Sequence, residues 1–564
     1  GTSGDTCSMD DADIRGLIGV NAGSTNAMDD WYGASADFYT HRVDHSVRFE
    51  DQSNGNLEQT LGTAGDLRKN TTSYWFRRTK VGIDEYIFAS GASLNSNYDN
   101  STVILVDSAD KWQIYQETNG SQALYVVMTQ KLRDIGSWYH VVVAFDTAQS
   151  TAANRIKIYL NGVQVTSFSA ANYGSQNLNT HIMSAYKRRW GRGQSNNYAS
   201  CYMAQICQIS GQALGPTSFG EFKNDIWIPK DLTGLTYGAG SYLLELENSA
   251  VGTASSSTVG ADTSGNGLHF TSVGLAVHDH VHDSPTNNFA VQMLTDANGA
   301  GSVTECGLKS QVTSSGNYYS VGTNIGLKGG KYYFEYQPVR GGNNSTGLPD
   351  VRLFPDGTSS HSSADNPAGS IQLACGTQDG DGGVYMVALD LVNGQVYRGR
   401  NGTWSNSGDP TSGATATGAI VSLSDAAIAS HLRVGVVHRY DTGTSIITFN
   451  FGQEGTFLSY TGAGGEADAN GFGDFKYAVP SGYLAICSGN LPDPVAAVDP
   501  GSGNSPQDFF NTVLYTGNGG DANSPQAITG VGFQPSWLWI KNRDATKYHV
   551  VTDVVRGIGK SLYP

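Results

Sequence analysis

Apolar and polar residues alternate along much of the chain, and the pattern is clearest between residues 137 and 168. Ile156, Ile158 and Leu160 occupy every second position, so this segment is predicted to bury one face and expose the other. Asn161-Gly162 follows directly, and such a pair between apolar runs is a strong hairpin signal because both turn residues must tolerate positive φ. The stretch therefore predicts an antiparallel strand pair at the centre of a two-sheet sandwich.

Short apolar segments of the same kind recur before and after this region, separated by turn residues and with almost no helical period. This pattern is typical of an all-β protein built from tandem antiparallel β-sandwiches. A chain of 564 residues is also too long for a single hydrophobic core.

Two shifts in composition suggest where the domains begin and end. Residues 248–286 are rich in Ser, Thr, Gly and Asp, and residues 495–507 in Pro, Gly and Ser, so both are predicted to be linkers. The predicted organisation is an N-terminal arm (1–40), a first sandwich (41–247), a linker (248–286), a second sandwich (287–494), a second linker (495–507) and the start of a third β domain (508–564).

Composition and charge argue against two classes of function, nucleic-acid binding and membrane spanning by a helix. The net charge of -16 and the pI near 5.1 argue against nucleic acid as a partner, because phosphate contacts need a basic face. A run of about 20 apolar residues, which a membrane-spanning helix needs, is absent from the sequence. The six cysteines are scattered, and Cys201 and Cys207 are predicted to be buried thiols on one strand, too far apart to bridge.

Several motifs carry a resemblance to known families. The segment W-Y-H-V at 138–141, followed by a strand that ends Y-L-N-G at 159–162, resembles the concanavalin-like, laminin-G-type jelly roll. The second half is similar to SPRY-type domains in the order of five strand motifs, namely G-K-Y-Y-F-E (330–335), N-G-x-x-Y (393–397), L-R-V-G-V (432–436), I-T-F-N-F-G (447–452) and G-Y-L-A-I-C (482–487).

The two halves together resemble large structural proteins of bacteriophages, notably marine ones. The resemblance includes the connecting motifs S-F-G-E (218–221), W-I-P-K (227–230), D-x-S-G-N-G (262–267) and D-S-P-T-N-N-F (283–289). It implies a virion protein, such as a tail fibre or a tail-associated or capsid-attached fibre, that binds a host-surface receptor or glycan. It also implies other virion proteins as partners and a homo-oligomer, with a trimer favoured. Two alternatives stay open: a secreted or cell-surface bacterial lectin or adhesin, and a polysaccharide-cleaving enzyme.

The enzyme alternative depends on paired carboxylates. Glu245 and Glu247 share one face of a predicted strand, about 7 Å apart, while Tyr242, Leu244 and Leu246 form its core face. A solvent-facing strand explains the same pattern, and the sequence contains neither a Gly-x-Ser-x-Gly elbow before a helix nor a phosphate-binding loop. We therefore predict that the protein is not an enzyme.

One basic cluster is a candidate ligand site. It could hold an anionic polysaccharide or a phosphate group, with the tryptophan stacking on a sugar ring. A strand lead-in with solvated charges is the alternative. The residues are Lys187, Arg188, Arg189, Trp190 and Arg192.

Metal sites are the remaining candidates, although the fold requires no cofactor. Asp379 with Asp381, and Asp262 with Asn266, lie in short turns that resemble calcium-ligating loops. His278, His280 and His282 would share one side of an extended segment and suit a transition metal. The H-x-H motif of some phage fibres implies an iron site on a threefold axis for such a pair. The alternative is that the three histidines are simply solvated, as histidines in an acidic linker more often are.

Overall fold

Two β-sandwiches follow one another along the chain in a computed structural model of the protein. It describes residues 38–50, 54–92, 94, 99–193, 197–293, 301–312, 319–341, 349–356, 358, 367–373, 382–438, 444–457, 464–492, 503–519, 524–557 and 560–563. The predicted arm (1–40) and second linker (495–507) therefore lie mostly outside the described residues.

The first sandwich and the segment after it contain eighteen strands in the described part of the chain. They are β1 (Ser46–Phe49), β2 (Asn56–Thr60), β3 (Lys69–Arg78), β4 (Glu85–Gly91), β5 (Ser101–Val106), β6 (Lys111–Thr118), β7 (Ser121–Lys131), β8 (Tyr139–Asp146), β9 (Ile156–Leu160), β10 (Val163–Gln164), β11 (Phe168–Asn172), β12 (Lys187–Trp190), β13 (Cys201–Ser210), β14 (Gly220–Lys223), β15 (Ile226–Pro229), β16 (Tyr242–Leu244), β17 (Thr271–Val273) and β18 (His280–Val281).

These strands form two antiparallel sheets that pack face to face, beside a separate β14–β15 hairpin. Sheet A has the order β10-β9-β8-β3-β13-β1-β18, with β16 paired to β13, and sheet B the order β11-β7-β6-β5-β4-β12-β2-β17. Alternate residues of the two sheets, such as Tyr74 and Val141 from sheet A and Trp112 and Val126 from sheet B, belong to one buried cluster. The apolar positions of the alternating sequence pattern thus face this core, and the polar positions lie on the outer faces of the sheets.

The predicted hairpin is confirmed. Leu160 pairs with Val163 across a two-residue turn in which Asn161 and Gly162 have φ of 46° and 80°. Glycine is required at the second position for a further reason, because a Cβ there would lie 2.3 Å from the Trp227 ring. The turn therefore fixes both the strand register and the close approach of an indole.

The second sandwich contains thirteen strands and one short helix in the described part of the chain. They are β19 (Gly301–Thr304), β20 (Lys309–Val312), β21 (Tyr319–Leu327), β22 (Lys331–Gly341), β23 (Asp350–Pro355), β24 (Ile371–Gln372), β25 (Tyr385–Asp390), β26 (Gln395–Arg400), β27 (Thr403–Trp404), β28 (Val421–Ser422), α1 (Asp425–Ile428), β29 (Leu432–His438), β30 (Thr444–Asn450) and β31 (Leu484–Ala485).

These strands form a larger and a smaller sheet. The larger has the order β19-β20-β30-β22-β25-β26-β27, with β28 on β26 and β31 on β22, and the smaller the order β21-β29-β23-β24. Phe334 and Val387 of the larger sheet share a buried cluster with Val321 and Val436 of the smaller one. All four SPRY-like strand motifs between residues 330 and 452 lie on or beside these strands.

Residues 248–286 are built into the first sandwich instead of linking two separate bodies. Val259, Phe270 and Leu275 lie in its core, while β17 extends sheet B and β18 extends sheet A. The polar side chains that led to the linker prediction form hydrogen bonds within the segment. The Gly252 N–H, for example, donates to Ser272 Oγ over 2.6 Å. Side chains that satisfy backbone groups locally give a folded segment the composition of a loop.

The two sandwiches belong to one compact unit, Tyr32–Phe222 with Trp227–Pro492. Asp283 is fully buried at their junction, where its carboxylate accepts hydrogen bonds from Arg77 Nη1 over 2.6 Å and from Trp138 Nε1 over 3.2 Å. The oxygen that accepts from Arg77, Oδ2, also accepts a hydrogen bond from the backbone N–H of Phe289 over 3.2 Å. Tyr202 Oη donates to the carbonyl of Cys306 over 2.9 Å, so both sandwiches contribute to the junction.

Residues 503–563 belong to a second compact unit. Its sheet in the described residues is the hairpin of β32 (Trp537–Ile540) and β33 (Val550–Asp553). Trp537 and Trp539 are about half exposed, as expected of a piece too small to bury a core.

The thiol prediction is confirmed where the structure describes it. Cys201 and Cys207 lie on β13, and both are buried and free, as are Cys306 and Cys487. Among the described residues, no helix is long and apolar enough to cross a membrane.

Candidate functional site

The basic cluster does not form the predicted ligand site, because β12 lies between two strands of sheet B and alternates its side chains. Trp190 is fully buried in the core, and its indole Nε1 donates to Tyr242 Oη over 2.7 Å. Arg188 is buried on the same side, with its guanidinium 4.4 Å from the centre of the Tyr242 ring. Neither side chain can reach a ligand in solution.

The other members of the cluster already have partners. Lys187 Nζ lies 2.8 Å and Arg189 Nε 3.2 Å from the carboxylate of Glu58 on the neighbouring strand β2. Arg192 stacks on the ring of Tyr198, 4.9 Å from its centre. The cluster is therefore a set of core and cross-strand contacts.

The first predicted calcium site is a hydrogen-bonded turn. The Asp262 carboxylate accepts the backbone N–H groups of Leu243, Ser264 and Leu268 over 2.7–3.0 Å. The Asn266 amide donates to main-chain carbonyls, including that of Ser241 over 3.0 Å. Because the Asp262 oxygens face donors, this turn does not fit a cation. The second candidate, Asp379 with Asp381, lies outside the described residues.

The histidine segment is only partly assembled as predicted. His280 and His282 lie together, and His45 joins them, with its ring centre 4.5 Å from that of His280 and 4.8 Å from that of His282. His278 falls instead in a short 3-10 turn beside Asp279. The described part of the chain holds no group of three or more His, Cys, Asp or Glu side chains arranged to bind a metal ion.

The paired carboxylates do not face a shared cleft. Leu246 is buried in the core as predicted, but it has a φ of 63°, so the strand ends at Leu244 and the alternation stops there. Glu247 Oε2 lies 2.9 Å from His45 Nδ1, and this hydrogen bond lowers the pKa of Glu247.

Two buried serine–histidine pairs superficially suggest a nucleophile and its base. His140 Nε2 lies 2.9 Å from Ser73 Oγ, while its Nδ1 accepts the indole N–H of Trp227 over 3.1 Å. That indole forces the proton onto Nε2, so His140 donates to the hydroxyl and cannot take its proton. Burial also lowers the pKa of His140 to about 3. The second pair, His438 with Ser310, is equally buried.

The outer face of sheet B offers a better candidate site. Along β6, Trp112, Ile114 and Gln116 point inward, whereas Lys111, Gln113, Tyr115 and Glu117 are half-buried on the outside. Tyr115 lies directly opposite Tyr125 of β7, and Tyr125 lies opposite Asn172 of the edge strand β11. We call Gln113, Tyr115, Tyr125 and Asn172 the tyrosine face.

The tyrosine face combines two kinds of contact. Directly opposed residues of an antiparallel pair have Cβ atoms about 4.5–5.5 Å apart, so the two tyrosine side chains leave the sheet next to each other on the same face. Tyr125 Oη donates to Gln113 Oε1 over 3.2 Å, which fixes the orientation of that amide and leaves its N–H groups pointing away. A flat aromatic surface flanked by amides suits a ligand with apolar C–H faces and hydroxyl groups, as a pyranose has.

These residues were not among those singled out from the sequence. The available signal was the alternation Gln113, Tyr115 against Trp112, Ile114, followed by Tyr125 on the next strand. What it could not supply was the register that places Tyr115 beside Tyr125 and Asn172.

Two family models match parts of the chain. Residues 49–205 match the concanavalin A-like lectin/glucanases superfamily, and residues 505–564 match a domain of unknown function (DUF7483). A search of curated proteins returned no match. The first match covers most of the strands of both sheets of the first sandwich, including the tyrosine face.

Solved structures resemble parts of the chain. A putative carbohydrate binding protein from Bacteroides ovatus is 14% identical, with 41% of this chain and 58% of that one covered and a TM-score of 0.28. A heptameric SAP-like pentraxin from Limulus polyphemus is 18% identical (31% and 80% covered, TM-score 0.24). The SPRY domain of human HERC1 is 14% identical (28% and 96% covered, TM-score 0.20). At such identities these are likenesses of fold alone.

Proposed function

We propose that this protein is a structural and attachment protein of a bacteriophage particle, and that its first sandwich binds a host-surface glycan. The observation that carries the binding part is the tyrosine face, where Tyr115 and Tyr125 lie side by side with the Gln113 and Asn172 amides at their edges. Aromatic rings and amides together bind sugars, because rings pack on C–H faces while amides bond hydroxyl groups.

The structural part of the proposal is supported by the ordered series of motifs and by the junction. Asp283, from the D-S-P-T-N-N-F motif, ties Arg77 and Trp138 of the first sandwich to the backbone that enters the second. Such a junction suits a protein that holds a binding surface at a fixed place on a particle. The proposal includes a homo-oligomer, with a trimer favoured, and other virion proteins as partners.

Catalysis is not part of the proposal. The strand that was expected to align Glu245 and Glu247 ends before Leu246, and the Glu247 carboxylate is hydrogen-bonded to His45. Incubating the purified protein with bacterial surface polysaccharides and assaying for reducing ends tests this directly. Sustained release of reducing ends would contradict the non-enzymatic assignment.

Binding is tested with an array of bacterial surface oligosaccharides, followed by titration calorimetry on the best ligand. Replacing Tyr115 and Tyr125 by Ala together should weaken binding at least tenfold, which corresponds to about 1.4 kcal/mol. Tyr548→Ala is the matched control, because Tyr548 is 79% exposed and belongs to the other compact unit. Unchanged affinity in the double variant would remove the tyrosine face as the site.

The place of the protein in a particle needs a separate experiment. Mass spectrometry of purified virions from a phage that encodes this chain should detect it, and light scattering of the free protein should give a trimer mass. Absence from the virions would contradict the structural role while leaving glycan binding to be judged on its own data.

A further inference from the structure

Three histidines meet where the two sandwiches join, one of them more than 230 residues before the other two in the sequence. His45 precedes β1, and His280 and His282 belong to the segment that pairs with β1 through β18. The His45 ring stacks on His280 with 28° between their planes, and it also contacts His282. We call these three residues the histidine cluster.

Only one carboxylate contacts the cluster among the described residues. Glu247 Oε2 lies 2.9 Å from His45 Nδ1, and His280 Nε2 donates to the carbonyl of Leu246 over 2.8 Å. The other titratable groups that face the cluster at longer range are His41 and Asp44 before β1, and Asp474 from the second sandwich. One close carboxylate can neutralise one imidazolium but not three.

The cluster also lies where the chain passes between the sandwiches. The backbone N–H of His282 donates to the carbonyl of Gln453 in the second sandwich over 3.4 Å. The next residue is Asp283, whose carboxylate holds Arg77 and Phe289 N–H. Movement of this segment would therefore disturb contacts on both sides of the junction.

We propose that the histidine cluster makes the junction sensitive to acid, so that protonation of more than one imidazole releases residues 278–283. Like charges on rings whose centres lie 4.5–4.8 Å apart repel strongly in a mostly buried site. Release separates the rings and hydrates them. This inference is independent of glycan binding.

The direction of the pH dependence follows from burial. Burial lowers the pKa of His280 to about 4 and also lowers that of His282. A released histidine takes up its proton near pH 6.5. As pH falls below about 6.5, the released form therefore binds more protons than the closed form and gains population, by up to about tenfold per pH unit for each of these two histidines.

Hydrogen–deuterium exchange of the full chain at pH 7.5 and pH 4.5, corrected for the intrinsic exchange rate, tests the proposal. Amides of residues 278–290 in the unmodified protein should lose at least tenfold in protection at pH 4.5. The double variant His280→Gln with His282→Gln should lose much less. His438→Gln is the matched control, because it removes a buried histidine of the second sandwich away from the junction.

The single variant His282→Gln is included in case the double variant does not fold. The His282 imidazole, unlike that of His280, has no hydrogen bond in the described contacts, so its replacement should disturb folding least. It should reduce the acid-induced loss at 278–290, whereas His438→Gln, which changes the global stability of the second sandwich, should leave this local opening unchanged. The proposal is overturned if protection at 278–290 is the same at both pH values. It is also overturned if the histidine variants retain the full loss, or if His438→Gln abolishes it.

Discussion

Replacing Asp283 by Ala should test the junction most directly. The Asp283 carboxylate is fully buried, and its partner Arg77 is equally inaccessible, with a 2.6 Å contact between Oδ2 and Nη1. Removing one member of a buried ion pair leaves an uncompensated charge and costs about 3–5 kcal/mol. Arg77 keeps a hydrogen bond from Nε to the Ile135 carbonyl, so the charge stays in place without its counter-ion.

The matched control lies on the same strand. Lys69 begins β3, is about half exposed, and pairs with Asp146 over 3.6 Å. Exposed pairs contribute about 0–1 kcal/mol, so Lys69→Ala should have little effect. The double variant Arg77→Met with Asp283→Leu should be more stable than Asp283→Ala alone, because no unpaired charge remains.

Urea unfolding at pH 7.5, followed by tryptophan fluorescence and by hydrogen exchange at residues 283–290, provides the measurement. Two sandwiches need not unfold in one transition, so the free energy is taken from the first transition that affects the junction amides. A loss below about 1 kcal/mol for Asp283→Ala, equal to that of Lys69→Ala, would refute the reasoning.

Three further predictions concern single sites. Trp190→Ala should cost about 3–5 kcal/mol in unfolding free energy, because the indole fills the core, yet leave the glycan affinity of the folded fraction unchanged in calorimetry. Burial lowers the pKa of His438 to about 3 in the native protein, whereas a histidine of the unfolded chain is protonated near pH 6.5. The free energy of unfolding therefore decreases as pH falls from 6.5 toward 3. Replacing the side chain in His438→Gln should flatten this pH dependence by up to about 1.4 kcal/mol per pH unit. Gly162→Ala should destabilise by about 2–3 kcal/mol in urea melts, more than Gly82→Ala, because both have positive φ but only Gly162 faces a ring at 2.3 Å.

The sequence was most informative where a pattern is local. Alternation at Ile156–Leu160 and the Asn161-Gly162 pair predict a hairpin whose register the structure confirms. Leu244 and Leu246 face the core as their spacing indicates. Such features depend on neighbours within a few residues, which periodicity records directly.

Long-range pairing is what the sequence does not record. Lys187 and Arg189 both form ion pairs with Glu58, which lies about 130 residues earlier in the chain. Nothing in the sequence near either segment shows that β2 and β12 are adjacent strands. Trp190 was expected to meet a sugar because its charged neighbours suggested a surface. On a strand, however, alternate residues of a basic run point into the core, where Arg188 stacks on Tyr242.

Composition was misleading for residues 248–286. A segment rich in Ser, Thr, Gly and Asp has few apolar residues, yet Phe270 alone contributes a fully buried ring to the first core. Asp262 and Asp283 are polar side chains with internal partners, and burial of such groups cannot be read from their identity.

The pairing of β1 with β18 determines how the first sandwich would respond to a pulling force. Ser46 lies opposite Val281 and Val47 opposite His280, so the chain enters and leaves this sandwich side by side at one end of two antiparallel strands. Tension applied through these two ends peels the strands apart one hydrogen bond at a time, which resists force far less than sliding them past each other. Val43 and Thr286 join the two chain ends outside this pair, where Thr286 Oγ1 donates to the Val43 carbonyl over 2.8 Å, and this contact is loaded before β1 and β18 are. These few hydrogen bonds should therefore break first under tension, and the larger sheets behind them carry the load only afterwards.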